Sequence, residues 1–396
     1  MRKRGGLSAL GISALLGSML CGLPALAQLT PPERPNFFAI YPPAPRGTFQ
    51  PGRPPASTAS RDPDLIGPKP FYRSPETWLF GGALDWRFRN GSKDTRGGYI
   101  ASGRYTLDYI RANPKDGDER GGVRLQVVSE SEGPRGTALN RVRASEAYVF
   151  YRFLLPGVDA TVRAGQFVIP FGLAAVYDTP LQPIQSLYEK SLGLRIDTGA
   201  MLEGSYGSYR YYVAATTGSG PNRSDFDGNK VVVMRLESTF RTQAESGRLQ
   251  LGGSILTGRG PLTTFDTQLP ASGTSSARQF IDKTRMAADA IYKLEKLQAR
   301  GEIVFGADDQ NPVWGYFGEG NLAIARHITA VGLVRSWKFG DKPQSATALG
   351  AGANYQFNRG ITLRALYEYE RDVPSKAAGG KATIEQRFTL QTRLNF

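Results

Sequence analysis

Thiols and imidazoles are almost missing from this chain of 396 residues, which holds one cysteine, Cys21, and one histidine, His327. A single thiol can form no intrachain disulfide, a single imidazole cannot build a multi-histidine metal site, and any Ser–His–Asp triad would have to be built on His327 alone. Long apolar runs are also scarce. After residue 27 nothing approaches the ~20 apolar residues that a membrane-crossing helix needs, and mean hydropathy is −0.33. The glycine groupings Gly315-Tyr316-Phe317-Gly318-Glu319-Gly320 and Gly350-Ala351-Gly352-Ala353 lack the strand–loop–helix setting of a nucleotide cradle. They read as kinks and close strand contacts. These absences point away from an enzyme and leave no residues marked out for a cofactor or metal.

The first residues set the compartment. Met1-Arg2-Lys3-Arg4 is a cationic start, an apolar run follows from Leu7 to Leu26, and Ala25-Leu26-Ala27 offers small residues for signal cleavage. Residues 1–27 are therefore expected to be a cleaved signal peptide, the alternative being a retained anchor. Cys21 leaves with it, and the bulky Leu20 argues against lipidation there. Residues 28–75 carry 13 of the 26 prolines and show little periodicity. Such a segment cannot bury a core and reads as an extended periplasmic extension.

From residue 76 onward the pattern has a period of two. Phe388, Leu390, Leu394 and Phe396 share one parity, and Arg387, Thr389, Gln391, Arg393 and Asn395 share the other. Alternate side chains of a strand point to opposite faces, so this strand has one greasy and one wet face. Val123, Leu125 and Val127 oppose Arg124 and Gln126 in the same way; Ile361, Leu363, Ala365 and Tyr367 oppose Thr362, Arg364 and Glu368. Turn signals such as Asn358-Arg359-Gly360 separate the runs.

About sixteen strands are expected over 76–396, one of them at 313–323 within a stretch, 306–327, that is irregular and rich in glycine. In a membrane only helices and closed barrels satisfy every backbone group, so the fold expected is an all-β, antiparallel transmembrane barrel. A soluble periplasmic β-protein is the competing class. Phe396, an aromatic residue closing an amphipathic strand, reads as an assembly signal for the barrel-assembly machinery, with outer-membrane lipid as the surrounding partner.

One interval interrupts the strands. Pro170 to Arg195 is too apolar for a loop waving in water, and folding back into the lumen would explain its Phe171, Leu173, Val176 and Tyr177. Around it stand Glu146-Ala147-Tyr148-Val149-Phe150-Tyr151-Arg152-Phe153, Val162-Arg163-Ala164-Gly165-Gln166-Phe167-Val168-Ile169-Pro170-Phe171-Gly172-Leu173 and Tyr211-Tyr212-Val213-Ala214-Ala215-Thr216-Thr217-Gly218-Ser219-Gly220-Pro221-Asn222. These blocks resemble the central part of the phosphate-selective porin O and P family. The resemblance is clearest over about residues 140–240. It implies a sixteen-stranded channel, usually a homotrimer, whose best-known members pass phosphate. Where that family commonly has lysine, this chain has Val168 and Ile169, which departs from the phosphate-binding pattern.

Charge supplies the remaining clue. The formal balance is +14, and removal of Arg2, Lys3 and Arg4 leaves +11. Export excludes nucleic acid as the partner of this charge. By parity Arg87, Arg104, Arg124, Arg163, Arg210, Arg235, Arg285, Arg300 and Arg364 point to the lumen, as do the acids Asp85, Asp108, Glu237, Asp289, Glu302, Glu368 and Glu370. Lys190 and Arg195 of the loop are expected beside Arg163 at the narrowest point. A lumen with excess guanidinium favours anions, so the expectation is a passive porin for small hydrophilic solutes with mild anion preference. The alternatives are a pore for anionic polysaccharide and a structural barrel with no open channel.

Overall fold

The computed structural model describes residues 76–91, 98–113, 119–133, 141–155, 158–175, 187–206, 208–222, 230–241, 247–261, 280–309, 311–340, 345–358, 360–373 and 382–396. The signal, the Pro-rich extension and the middle of the inward loop, with Val176 and Tyr177, lie outside these residues. Sixteen strands form one closed antiparallel barrel.

In chain order the first eight are β1 (Glu76–Gly91), β2 (Gly98–Ala112), β3 (Glu119–Gly133), β4 (Arg141–Leu155), β5 (Val158–Val168), β6 (Ile196–Tyr206), β7 (Tyr209–Thr216) and β8 (Val231–Arg241). The second eight are β9 (Arg248–Pro261), β10 (Phe280–Leu294), β11 (Leu297–Asp308), β12 (Asn311–Ala325), β13 (Ile328–Phe339), β14 (Ser345–Gln356), β15 (Ile361–Val373) and β16 (Thr383–Asn395). Every strand pairs with its sequence neighbours, and β1 pairs with β16 to close the ring. At that seam Gly82 and Phe396 exchange backbone hydrogen bonds of 3.0 and 3.1 Å, and the Phe396 ring lies 5.9 Å from Phe80.

The outer face follows from the parity. Trp78, Phe80, Leu125, Val149, Met234, Ile255, Phe305, Tyr316, Tyr367 and Leu390 all present their side chains outward, exposed. Closure leaves no unpaired edge, which is what allows such a face to meet hydrocarbon. Most strands exceed the roughly 9–11 residues needed to cross a bilayer. The short turns at 295–296 and 326–327 fall at one end of the barrel, and the C-terminal end of β5, where the chain turns inward, at the other. His327 sits in one of the short turns, exposed, its ring 6.2 Å from that of Tyr355.

Two departures from regular pairing matter. Gln126 pairs with Glu146 but Val127 with Ala144, so Ser145 is an extra residue, and its hydroxyl donates to Gln126 Oε1 at 2.6 Å. The strand expected at 313–323, within a stretch that reads as irregular, is β12; it is in continuous register with β11, and its pairing with β13 shifts between Ala323 and Ala325.

The outward parity leads to a stability expectation. Leu125 stands mid-strand on the outer face, 42% exposed, beside the inward and buried Arg124. Leu125→Arg is expected to destabilise the barrel by roughly 2–4 kcal/mol in lipid, whereas Leu125→Ile should be close to neutral. Urea titration in vesicles checks this; equal tolerance of both changes would mean that the face does not meet lipid.

Candidate functional site: a divided lumen

After β5 the chain turns inward at Ile169, and the two described legs of the interval, 169–175 and 187–195, lie against the inside of the wall. It opens with a 3-10 turn, Gly172–Ala175, whose four residues are all buried. Gly172 N–H donates to Ser254 Oγ of β9 at 3.1 Å, and Leu173 N–H donates to Glu302 Oε1 of β11 at 2.9 Å. Gly172 has φ +52, and a Cβ there would collide with the Glu302 carboxylate, so glycine alone lets the turn dock.

The returning leg holds a one-turn helix, Tyr188–Ser191. Arg285 Nε donates to the Ser191 carbonyl at 3.0 Å and Lys283 Nζ to the Leu192 carbonyl at 3.2 Å, both from β10. The root is closed by Ile169 N–H donating to the Arg195 carbonyl at 2.9 Å.

Between loop and wall lies an apolar core. Phe167, Ile169, Phe171, Leu173, Leu187, Leu192 and Leu194 pack with Val231, Val233, Leu256, Ile291, Val304, Phe317, Leu333 and Trp337. Among the described residues this cluster takes nothing from β1, β2, β3 or β16. Those strands carry a mostly polar inner face instead, and β15 adds only Leu366 to the cluster, between the polar Arg364 and Glu368. Gln391 Nε2 donates to Asp85 at 2.5 Å, Arg87 meets Asp85 at 3.1 Å, and Arg393 stands 3.6 Å from the same carboxylate. Arg124 grips Asp108 through two bonds of 2.7 Å and lies 3.5 Å from Glu146. Arg364 donates to Asn354 at 2.5 Å.

The lumen-facing arginines were expected as a lining of excess charge, and the structure sorts them into two kinds. Arg124, Arg163, Arg235 and Arg285 are at most 3% exposed and neutralised inside the wall. Arg163 pairs with Glu203 and lies under the Tyr148 ring at 5.1 Å. Arg285 pairs with Asp308 as well as holding the loop. Arg235 is engaged by Asp289 at 2.6 and 2.9 Å, by Glu237 and by Ser254. Desolvated charges of this kind exist only with their partners. Arg87, Arg104, Arg210, Arg300 and Arg364 are shielded less completely. Arg210 meets Glu237 at 3.1 Å and Arg300 lies 4.0 Å from Glu319.

The Arg235–Asp289 pair spans β8 and β10 by crossing β9, over Gly252, which is in register with both Glu237 and Asp289. A Cβ on Gly252 would come within 2.5 Å of Arg235 Nη2 and 2.7 Å of Asp289 Oδ1. Glycine opens the window through which the guanidinium reaches.

The three cations expected together at the narrowing are apart. Arg163 goes to Glu203, Arg195 sits at the loop's return, and Lys190 Nζ lies 4.0 Å from Glu370 of β15. Residues that sequence reasoning passed over do more of the positioning. Asp197, fully buried, accepts from Thr217 Oγ1 at 2.8 Å and from the backbone N–H of Gly218 and Gly220 at 2.6 and 3.1 Å. Asn222 N–H then donates to Gln166 Oε1 at 2.7 Å. The Gly-Gln-Phe block and the Gly/Asn segment thus form one brace across β4 to β7, a link their distance in sequence conceals.

No family model matches the sequence, and comparison with curated proteins finds no relative. Solved structures do match in shape. OmpT of Vibrio cholerae, an outer-membrane protein in a trimer form, aligns with 82% of this chain and all of its own at a TM-score of 0.57 and 12% identity. An anion-selective porin from Comamonas acidovorans aligns with 81% of this chain and all of its own, with a TM-score of 0.55 and 10% identity. OprB of Pseudomonas putida matches 81% of this chain and 94% of its own, with a TM-score of 0.54 and 11% identity. The fold is that of the outer-membrane porin barrels.

Proposed function

We propose that this chain is an outer-membrane porin through which small hydrophilic solutes diffuse, with mild anion preference. The observation that carries this reading is the division of the lumen. Packing of the loop on the β8–β13 side fills that half with apolar side chains and leaves solutes the polar wall of β15, β16 and β1 to β3. A solute moving along that wall meets Arg87, Arg104, Arg364, Arg387 and Arg393, against Asp85, Glu368, Glu370 and Glu385. The slight cationic excess fits a mild rather than strict selectivity, since fixed charge on a low-dielectric wall raises the local concentration of counter-ions. That one of the structures of similar shape is an anion-selective porin supports the same reading.

The homotrimer, the surrounding outer-membrane lipid, export by the signal at 1–27 and insertion by the assembly machinery through Phe396 belong to this proposal. Phosphate is not singled out, because Val168 and Ile169 are buried in the wall and offer no cation.

Recording from the purified full chain in planar bilayers tests it. Discrete steps are expected, with a reversal potential in a KCl gradient displaced toward chloride. Neutralising Arg104 together with Arg393 should move that potential toward potassium. A protein that inserts but gives no steps would be a closed structural barrel, and the proposal would fall.

A further inference from the structure

The returning leg of the loop meets the polar wall at one place. Lys190 Nζ lies 4.0 Å from Glu370 Oε1, and Arg335 Nη2 of β13 lies 3.5 Å from the same oxygen. Arg387 Nη2 of β16 stands 3.9 Å from Glu370 Oε2, 2.9 Å from Glu385 and, through Nη1, 3.9 Å from Glu368. These side chains keep 6–20% of their surface, whereas Arg235 and Asp289 in the filled half keep 0% and 1%. The group therefore faces the open side of the lumen.

Its charge differs from that of the chain as a whole. Lys190, Arg335 and Arg387 are three cations, Arg89 of β1 adds a fourth across the seam from Arg387, and Glu368, Glu370 and Glu385 are three carboxylates, so the seven sum to +1. Glu370 is the member common to Lys190, Arg335 and Arg387. Its contacts of 3.5–4.0 Å are longer than the roughly 2.7–2.9 Å of a direct charge-assisted bond. It acts as a counter-charge held in the midst of the cations rather than as a tight partner to one of them.

We infer that Glu370 is a specificity-determining residue, a tethered anion that holds the channel's preference for mobile anions low where the loop reaches the opposite wall. The inference rests on the reading of the barrel as an open channel. Charge is screened over about 8–10 Å at ordinary ionic strength, so an ion at this place responds to these seven groups more than to the net charge of the whole chain. Loss of the Glu370 charge moves the group from +1 to +2. The solute class concerned is the small inorganic anion, with chloride as the probe.

The test uses wild type, Glu370→Gln, Glu370→Asp and Lys190→Gln of the full chain in planar bilayers under a KCl gradient. Glu370→Gln is expected to raise the chloride-to-potassium permeability ratio about threefold, because one unit charge about 6 Å away in water, screened over about 8–10 Å, shifts the two ions by a little under twofold each in opposite directions. Glu370→Asp should restore the wild-type ratio, and Lys190→Gln should lower it by a similar factor. Lys190→Gln carries the same test with opposite sign if Glu370→Gln does not fold. Normal conductance steps with an unmoved reversal potential in both neutral variants would overturn this inference alone. Absence of steps in the wild type would overturn the channel reading and this inference with it.

Discussion

Arg235→Met is expected to destabilise the barrel by about 3–5 kcal/mol, the largest loss expected of any single lumenal substitution. The guanidinium is 0% exposed and holds Asp289, itself 1% exposed, through two bonds. Methionine fills a similar volume but leaves the carboxylate buried without its partner, and that uncompensated charge is the source of the cost. Glu237 loses one contact and keeps Arg210, Tyr212 and Gln250. Pairing Arg235→Met with Asp289→Leu should therefore recover most of the stability, because no isolated charge remains. Urea unfolding in detergent or lipid, followed by tryptophan fluorescence, measures both. A double variant as unstable as the single one would mean that packing, and not charge, is the cause.

The second large effect concerns the loop. Glu302→Leu removes the acceptor of the Leu173 N–H and leaves a buried donor unsatisfied, at about 1–3 kcal/mol. A change of that size shifts the ratio of docked to released loop by roughly 5- to 150-fold. The expected result is a higher and noisier single-channel conductance in Glu302→Leu, with Glu302→Gln close to wild type because its amide oxygen can still accept. Gly172→Ala should act in the same direction by a different route, since its Cβ meets that carboxylate and its φ of +52 disfavours any side chain. Unchanged conductance in both would show that the apolar contacts alone hold the loop.

The sixteen strands were legible because lipid outside and polar groups inside impose a contrast between successive residues. That contrast fails where the inside is apolar too. In β12 the inward Val313 and Phe317 are buried against the loop while the outward Trp314 and Tyr316 face the surroundings. Both parities are then apolar and glycines 315, 318 and 320 blank the rest, so the strand expected at 313–323 sits in a stretch that looks irregular. The inward loop was legible for the opposite reason, since its apolar density had nowhere else to go.

Pairing among the arginines was hidden. Arg124 lies opposite Asp108 in the register, but Arg163 is offset from Glu203, which pairs with Thr161, and Arg235 reaches past a whole strand. Parity tells which face a side chain takes and says nothing about which neighbour the register brings to it. The Glu370 group was out of reach for the same reason, because Arg335 and Arg387 reach Glu370 through the register of β13 to β16 and Lys190 through loop docking.

The apolar half of the lumen also has a thermal meaning. A loop held by buried Phe171, Leu173, Leu187 and Leu192 is held largely by the expulsion of water, an attraction that is entropic near room temperature and carries a large heat-capacity change. Such an attraction weakens on cooling, whereas the ion pairs of the wall do not share that dependence. The obstruction inside this barrel is therefore loosened by cold while the barrel around it stays closed.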